Sequence, residues 1–173
     1  MKTDFTNISN HTTPLKDFQL KWRFTEENFD AFSDQHLDLL KPLDKEASNF
    51  LWHFMDDTNL HEQIPFKHDF FRVVDKFDIL NGNKSEIKKW LYQRGIPFKK
   101  SVYLSWGPDV AMIVPWKILI KYWDLFYYES SDDLTVIDDS LNWALLFHHE
   151  GVIYFGTNED FVPGDLFPEI DYP

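Results

Sequence analysis

Two histidines and a glutamate stand side by side at His148-His149-Glu150, and these residue types are suited to metal binding or proton transfer. Adjacent residues of a strand point to opposite faces, so one site cannot easily use both imidazoles. The sequence also lacks the HExxH helix pattern and a third ligand at a characteristic spacing. We therefore expect polar residues leading into a hairpin turn. The alternative is a metal-dependent hydrolase or small-ligand-binding protein that uses these three residues.

Paired carboxylates at Asp132-Asp133 and Asp138-Asp139 are the second group with potential chemistry. Such pairs can bind calcium or magnesium, but the alternating acidic loop of an EF-hand is absent. Each pair falls where turns favour aspartate, so we expect solvated turn residues. The sequence has no cysteine and no Gly-x-Ser-x-Gly elbow that would indicate nucleophilic catalysis. Ser105 lies in a predicted strand with no identifiable base. We predict no catalytic residue, no metal and no cofactor.

Negative charge is concentrated in the second part of the chain, and the whole has a formal net charge of −12. Residues 1–100 carry 15 Lys/Arg against 16 Asp/Glu, whereas residues 101–173 carry 2 against 13. This distribution argues against direct binding to nucleic acid or to an anionic membrane. It favours a protein partner that is itself basic.

Composition indicates one domain with a substantial core. The chain has 173 residues, of which 18% are aromatic, and seven are tryptophans that we expect mostly in the core rather than in a stacking pocket. The absence of cysteine excludes disulfides and thiolate-ligated metals. Neither an apolar signal segment nor a membrane-length apolar run is present, so a cytoplasmic location is the expectation. The oligomeric state is left open.

Residues 101–156 are predicted to form the centre of the fold, with two hairpins and a helix between them. Gly107-Pro108-Asp109 and Gly151 provide turn chemistry between β-branched and aromatic runs, which is typical of hairpins. Between the hairpins, apolar residues recur at helical spacing from Trp116 to Trp123 after Pro115, a favourable first-turn residue. The predicted strands lie at 102–106, 110–114, 134–137, 143–147 and 152–155.

The remaining elements complete a predicted α+β fold, a mostly antiparallel sheet of five to six short strands with helices packed on one face. Residues 1–17 are predicted to be a flexible leader because they are polar. The alternation from Phe18 to Phe24 favours a sixth strand. Residues 18–173 then form one domain that ends in an acidic segment, 157–173. Helices are predicted around 44–55, 84–94 and 115–126.

Several short motifs resemble a family of small bacterial proteins that is defined only as a domain of unknown function. They are Lys21-Trp22-Arg23-Phe24, Leu40-Lys41-Pro42-Leu43, Ala47, Leu51-Trp52, Val102-Tyr103-Leu104, Trp116, Trp123, Asp132-Asp133 and the run from Glu150-Gly151-Val152 to Gly156. This resemblance implies no activity. The final hairpin is also similar to that of bacterial immunity proteins, through Trp143-Ala144-Leu145, His149-Glu150-Gly151 and Ile153-Tyr154-Phe155-Gly156.

Immunity proteins are small acidic domains that bind and block one toxin, often a nuclease. The resemblance and the charge together predict a non-enzymatic binding protein that neutralises a cognate basic toxin domain by occluding its active site. The residues expected to contact this partner are Asp132, Asp133, Asp138, Asp139, Glu150, Glu159 and Asp160.

Overall fold

A computed structural model describes residues 2–26 and 32–160 of the chain. Within these residues the fold is α+β, with one seven-stranded antiparallel sheet and five α-helices, so the predicted fold class is confirmed. The helices are α1 Trp22–Thr25, α2 Asp34–Leu37, α3 Lys45–Asp57, α4 Lys84–Tyr92 and α5 Trp116–Phe126. The strands are β1 Lys41–Pro42, β2 Val73–Asp78, β3 Ser101–Gly107, β4 Val110–Pro115, β5 Leu134–Ile137, β6 Trp143–His148 and β7 Val152–Thr157.

The strand order is β1-β4-β3-β5-β6-β7-β2, and every neighbouring pair is antiparallel. The two predicted hairpins are present as β3–β4 and β6–β7. Strand β5 lies between them and joins them into one sheet, pairing Leu104 with Val136 on one side and Val136 with Leu145 on the other. Strand β2, which is not among the strands predicted from the sequence, adds to the far edge beside β7.

Hydrophobic cores lie on both faces of the sheet, whereas helices on only one face were expected. Helices α4 and α5 pack on one face, where Val102, Leu104 and Leu145 point. Helix α3 packs on the opposite face, against Ala111 and Ile113. The reason is the pleat, because Ala111 and Ile113 alternate with Met112 and Val114, so β4 offers an apolar surface to each side.

Local capping explains why the three main helices begin where they do. The Asp44 side chain accepts a hydrogen bond from the Ala47 amide at 2.8 Å and starts α3. Helix α4 begins after Asn83, which caps it by forming a capping box with Glu86. Gly95, three residues beyond the end of α4, has a φ of 75°, which glycine adopts without steric cost as the chain turns away from the helix.

The predicted sixth strand at 18–24 is wrong. Residues from Trp22 onward form the short helix α1, in which Arg23 and Phe24 are both buried. Neighbouring residues of a strand point to opposite faces, whereas neighbours on a helix can both turn toward the core. The sheet reaches seven strands instead through β1 and β2.

The N-terminal residues 2–17, predicted to be a flexible leader, pack against α3 and the sheet. Ile8 is buried, and the Phe5 ring contacts the rings of Phe50, Phe54 and Tyr103. These two apolar residues fill the corner between α3 and β4, and their burial holds the segment in place although most of its other residues are polar.

Of the predicted acidic segment 157–173, the part after Asp160 lies outside the described residues. No helix in the described ranges is long and apolar enough to cross a membrane.

Candidate functional site

The turn between β6 and β7 carries the residues with the most chemistry. His148 ends β6, and His149, Glu150 and Gly151 form the turn, which the Gly151 amide closes by donating to the His148 carbonyl at 2.9 Å. Gly151 has a φ of 78°, a conformation that glycine adopts without steric cost. The turn therefore holds both histidines at one end of the sheet.

The two imidazoles lie together, with ring centroids 4.2 Å apart. This differs from the expectation that they would face opposite sides of a strand. The reason is that His149 has left the strand, and its amide donates to Asp133 Oδ1 at 3.0 Å. Strand alternation does not apply past the last residue of β6.

Asp133 joins the histidines from the residue just before β5. Its Oδ1 also accepts from His149 Nδ1 at 2.9 Å and lies 4.0 Å from His148 Nε2. Partial burial acts to raise the pKa of Asp133, but the hydrogen bonds from the His149 amide and ring outweigh it, so the pKa lies below its usual value. Asp133 is therefore a carboxylate, and it aligns His149.

Tyr127 fixes the backbone of the turn from inside the fold. Its hydroxyl donates to the His148 carbonyl at 2.6 Å. Burial raises the pKa of Tyr127 to about 12, so the hydroxyl keeps its proton and remains a donor. The Ser130 amide donates to the His149 carbonyl at 3.0 Å, which brings the neighbouring Glu129 to the same end of the sheet.

Asp132, expected to contact a partner, is instead buried in an ion pair with Arg23. Its carboxylate accepts from Arg23 Nη1 at 2.5 Å and Nη2 at 3.1 Å, and also from the Tyr128 amide at 2.9 Å. The side chains of Arg23 and Asp132 are only 5% and 9% exposed. This pair ties α1 to the segment before β5, and Asp132 has no exposed face to offer a partner.

Asp138 is also buried, at the opposite end of β5. It accepts hydrogen bonds from Ser140 and from Trp143 Nε1 at 2.9 Å, and it lies 3.3 Å from Lys100 Nζ. Burial acts to raise the pKa of Asp138, but the Ser140 hydrogen bonds and Lys100 lower it overall. Asp138 thus holds the β5–β6 connection and is not available at the surface.

The exposed acidic residues between 129 and 160 fall at two separate ends of the sheet. Asp138 lies five residues after Asp133 along nearly extended chain, a distance of roughly 16 Å. We call the group beside the histidines the acidic end, which consists of Glu129, Asp133 and Glu150. We call the other group the distal end, which consists of Asp139, Glu159 and Asp160.

The two ends differ in how their charge is compensated. At the distal end, Asp139 lies 3.8 Å from Lys100 Nζ, and Asp160 lies 2.8 Å from Arg72 Nη2. At the acidic end, the ion-pair contacts are with histidines only. Among residues 2–26 and 32–160, no Lys or Arg forms an ion pair with Glu129, Asp133 or Glu150. The acidic end therefore carries uncompensated negative charge.

A further polar pair, which the sequence did not reveal, lies on β5 two residues beyond Asp133. His61 Nε2 is 2.8 Å from Thr135 Oγ1, and His61 Nδ1 is 2.7 Å from the Pro65 carbonyl. A carbonyl can only accept, so the proton is on Nδ1 and the threonine hydroxyl donates to Nε2. The pair borders a cavity of about 190 Å³ with Trp52 at its rim. His61 stands in a loop without any motif, so no spacing pointed to it.

Burial lowers the pKa of His61, partly opposed by the Pro65 hydrogen bond and the charge of Asp133. In acid the unfolded chain therefore binds a proton at this histidine that the folded chain excludes. We expect His61 to reduce the free energy of unfolding as the pH falls below the ordinary histidine pKa. In urea denaturation between pH 7 and pH 5, His61→Gln should lose less stability than the wild type.

The matched control is His68→Gln, because His68 is an exposed histidine elsewhere on the surface. This substitution does not touch the cavity, and its loss of stability between pH 7 and pH 5 should match that of the wild type. An equal slope for His61→Gln and the wild type would contradict the assignment of a neutral, buried His61.

Comparisons of the chain with models of protein families, with curated proteins and with solved structures found no match.

Proposed function

We infer that this chain is a non-enzymatic binding domain that neutralises a basic protein partner, in the manner of bacterial immunity proteins acting on a nuclease-like toxin. The observation that carries this inference is the uncompensated acidic end, Glu129, Asp133 and Glu150. The chain from 129 to 160 contains no Lys or Arg at all. Exposed carboxylates without neighbouring cations attract a basic surface over several ångströms.

The mechanism is occlusion. An enzyme that acts on nucleic acid presents Lys and Arg side chains to phosphates. Carboxylates of the acidic end pair with those side chains and take the place of the phosphates. Because the attraction acts before contact, it raises the association rate more than it slows dissociation.

Burial and neighbouring cations remove several residues from the contact surface expected from sequence, and the fold adds Glu129, which was not in that set. Asp132 and Asp138 are used inside the fold, by Arg23 and by Trp143 with Lys100. At the distal end, Asp139 and Asp160 have cations beside them. Asp133 and Glu150 have exposed side chains, at 55% and 74%. Together with Glu129 they form the contact surface that we propose.

Removing the charges of the acidic end should weaken partner binding. We expect the triple variant Glu129→Gln, Asp133→Asn, Glu150→Gln to bind the partner roughly tenfold or more weakly, because steering by charge contributes that much to association. The partner is obtained by capture on the immobilised protein from a lysate of the source organism at low salt. Calorimetry or surface plasmon resonance with the purified partner then measures the dissociation constant.

A variant with the same loss of charge provides the control. Asp139→Asn, Glu159→Gln, Asp160→Asn removes three carboxylates from the distal end and should bind within about threefold of the wild type, since those charges lie beyond a Debye length from the contact at physiological salt. Equal weakening by both triple variants would mean that overall charge, and not the acidic end, drives binding.

A metal-dependent hydrolase is the second candidate, and one observation favours it. His148, His149 and Asp133 converge, which the sequence alone did not lead us to expect. The His61–Thr135 cavity borders β5, two residues beyond Asp133, and offers a place for a small substrate. This candidate requires turnover of a substrate, which a binding protein does not show.

A further inference from the structure

His148 is a buried polar side chain that the fold leaves without a hydrogen bond to its ring. The residue is 7% exposed, and its Nδ1 has no hydrogen-bond partner in the described parts of the chain. Its Nε2 lies 4.0 Å from Asp133 Oδ1, which is too far for a hydrogen bond. Buried polar atoms are almost always satisfied, and an orphaned one often marks the place of an ion or water. The orphaned Nδ1 lies on the Glu150 side of the ring, whereas the other ring nitrogen, Nε2, faces Asp133.

The donor atoms around this ring are spaced for a metal ion. Asp133, His148 and His149 each offer one ligand atom, and these atoms all lie within 4.8 Å of one another. A zinc ion with bonds of about 2.0–2.2 Å holds its tetrahedral ligand atoms roughly 3.3 Å apart. Asp133 Oδ1 lies 2.9 Å from His149 Nδ1 and 4.0 Å from His148 Nε2, and these two distances lie on either side of that value. Small side-chain rotations can therefore close the set.

The orientation of the His148 ring supports the same arrangement. Its Nε2 faces Asp133, while its Nδ1 lies 3.7 Å from Glu150 Oε2 on the other side. A metal-binding histidine typically donates its second ring N–H to a carboxylate, which fixes the tautomer and the ring. At 3.7 Å this contact is not yet a hydrogen bond, but a small rotation of the exposed Glu150 side chain would let it accept that proton.

We propose that Asp133, His148 and His149 form a binding site for a divalent transition metal of the zinc type, with Glu150 orienting His148. Two imidazoles and one carboxylate favour such a metal over calcium or magnesium, which prefer sets made only of oxygen. Three protein ligands leave a fourth position for water or for a group from another molecule. This inference depends neither on the basic partner nor on hydrolase activity, and its test uses the metal alone.

The test is calorimetric titration of the full chain, without a histidine tag, with Zn²⁺. We expect one ion per chain. His149→Ala and Asp133→Asn should each weaken binding by at least tenfold, since even the loss of a residue behind the ligands commonly costs 10–100-fold in affinity. Both side chains are substantially exposed, so both variants should fold, and far-UV circular dichroism checks this.

The matched control is His68→Ala. His68 forms an exposed pair with Asp69, at 2.8 Å from Nδ1 to Oδ2, but without a second imidazole or a buried ring. It should bind Zn²⁺ as the wild type does. Titration with Co²⁺ should in addition give visible d–d absorption of a four- or five-coordinate site, which His149→Ala loses.

Failure to bind any Zn²⁺ at micromolar to millimolar concentration would overturn the proposal. So would wild-type affinity in both His149→Ala and Asp133→Asn, or an equal loss in His68→Ala. Displacement of Zn²⁺ by a tenfold excess of Mg²⁺ or Ca²⁺ would overturn the assignment to a transition metal.

Discussion

Asp132→Ala should lower the free energy of unfolding by about 3–5 kcal/mol, because it leaves the guanidinium of Arg23 buried without its carboxylate. The carboxylate also accepts from the Tyr128 amide, so a backbone donor loses its partner as well. Urea denaturation followed by circular dichroism measures the change as a lower midpoint with an unchanged slope.

The adjacent carboxylate serves as the control. Asp133→Ala changes an exposed side chain that pairs with a histidine, and it should cost about 1 kcal/mol or less. The double variant Arg23→Met, Asp132→Leu should recover most of the loss, since replacing a buried pair with apolar residues is often neutral. Similar losses for Asp132→Ala and Asp133→Ala would contradict a structural role for Asp132.

Trp116→Ala should lower the free energy of unfolding by roughly 3–5 kcal/mol. The indole is 0% exposed at the start of α5 and packs edge-on against Trp143, with ring centroids 6.1 Å apart. Deleting it removes buried apolar surface and leaves a cavity between α5 and the sheet. The measurement is again the urea midpoint, followed by circular dichroism because the substitution alters tryptophan fluorescence.

Trp52→Ala is the matched control, since Trp52 is 40% exposed at the rim of the His61 cavity. It should change stability by about 1 kcal/mol or less. This comparison also tests the expectation that most tryptophans belong to the core. A loss for Trp116→Ala no larger than that for Trp52→Ala would show that α5 does not close the core as described.

The hairpins and the three main helices were predictable because their signals are local. Pro115 and the helical spacing that follows it mark α5, the Asp44 side chain caps the start of α3, and Gly95 follows α4 with a positive φ. The positive φ of Gly151 likewise belongs to a two-strand turn that can be read from a few residues. These features need no information from distant parts of the chain.

Features that depend on distant contacts could not be predicted. Arg23 lies 109 residues from Asp132, and only the fold shows that the two neutralise each other inside the core. The alternation at 18–24 is typical of a strand only if Arg23 faces solvent. Arg23 is instead buried because it pairs with Asp132, and a local pattern contains no information about so distant a partner. The position of the His149 ring depends on where β6 ends, at His148, which the local sequence does not specify.

The acidic surface was predictable in charge but not in position. Sequence composition located the excess of carboxylates, yet it treated Asp132 and Asp133 as equivalent neighbours. In the fold one is 9% exposed and the other 55%. Which carboxylates face solvent without a cation depends on the ends of strands, and therefore on the register of the whole sheet.

The most direct test of charge-steered neutralisation is the association rate with the captured partner, measured between 0.05 and 0.5 M salt. For the wild type we expect a steep fall in association rate with salt, and little change in dissociation rate. For the acidic-end variant Glu129→Gln, Asp133→Asn, Glu150→Gln we expect a slower rate at low salt and a much shallower dependence. The same steep dependence in both proteins would contradict the claim that the acidic end is the surface that meets the partner.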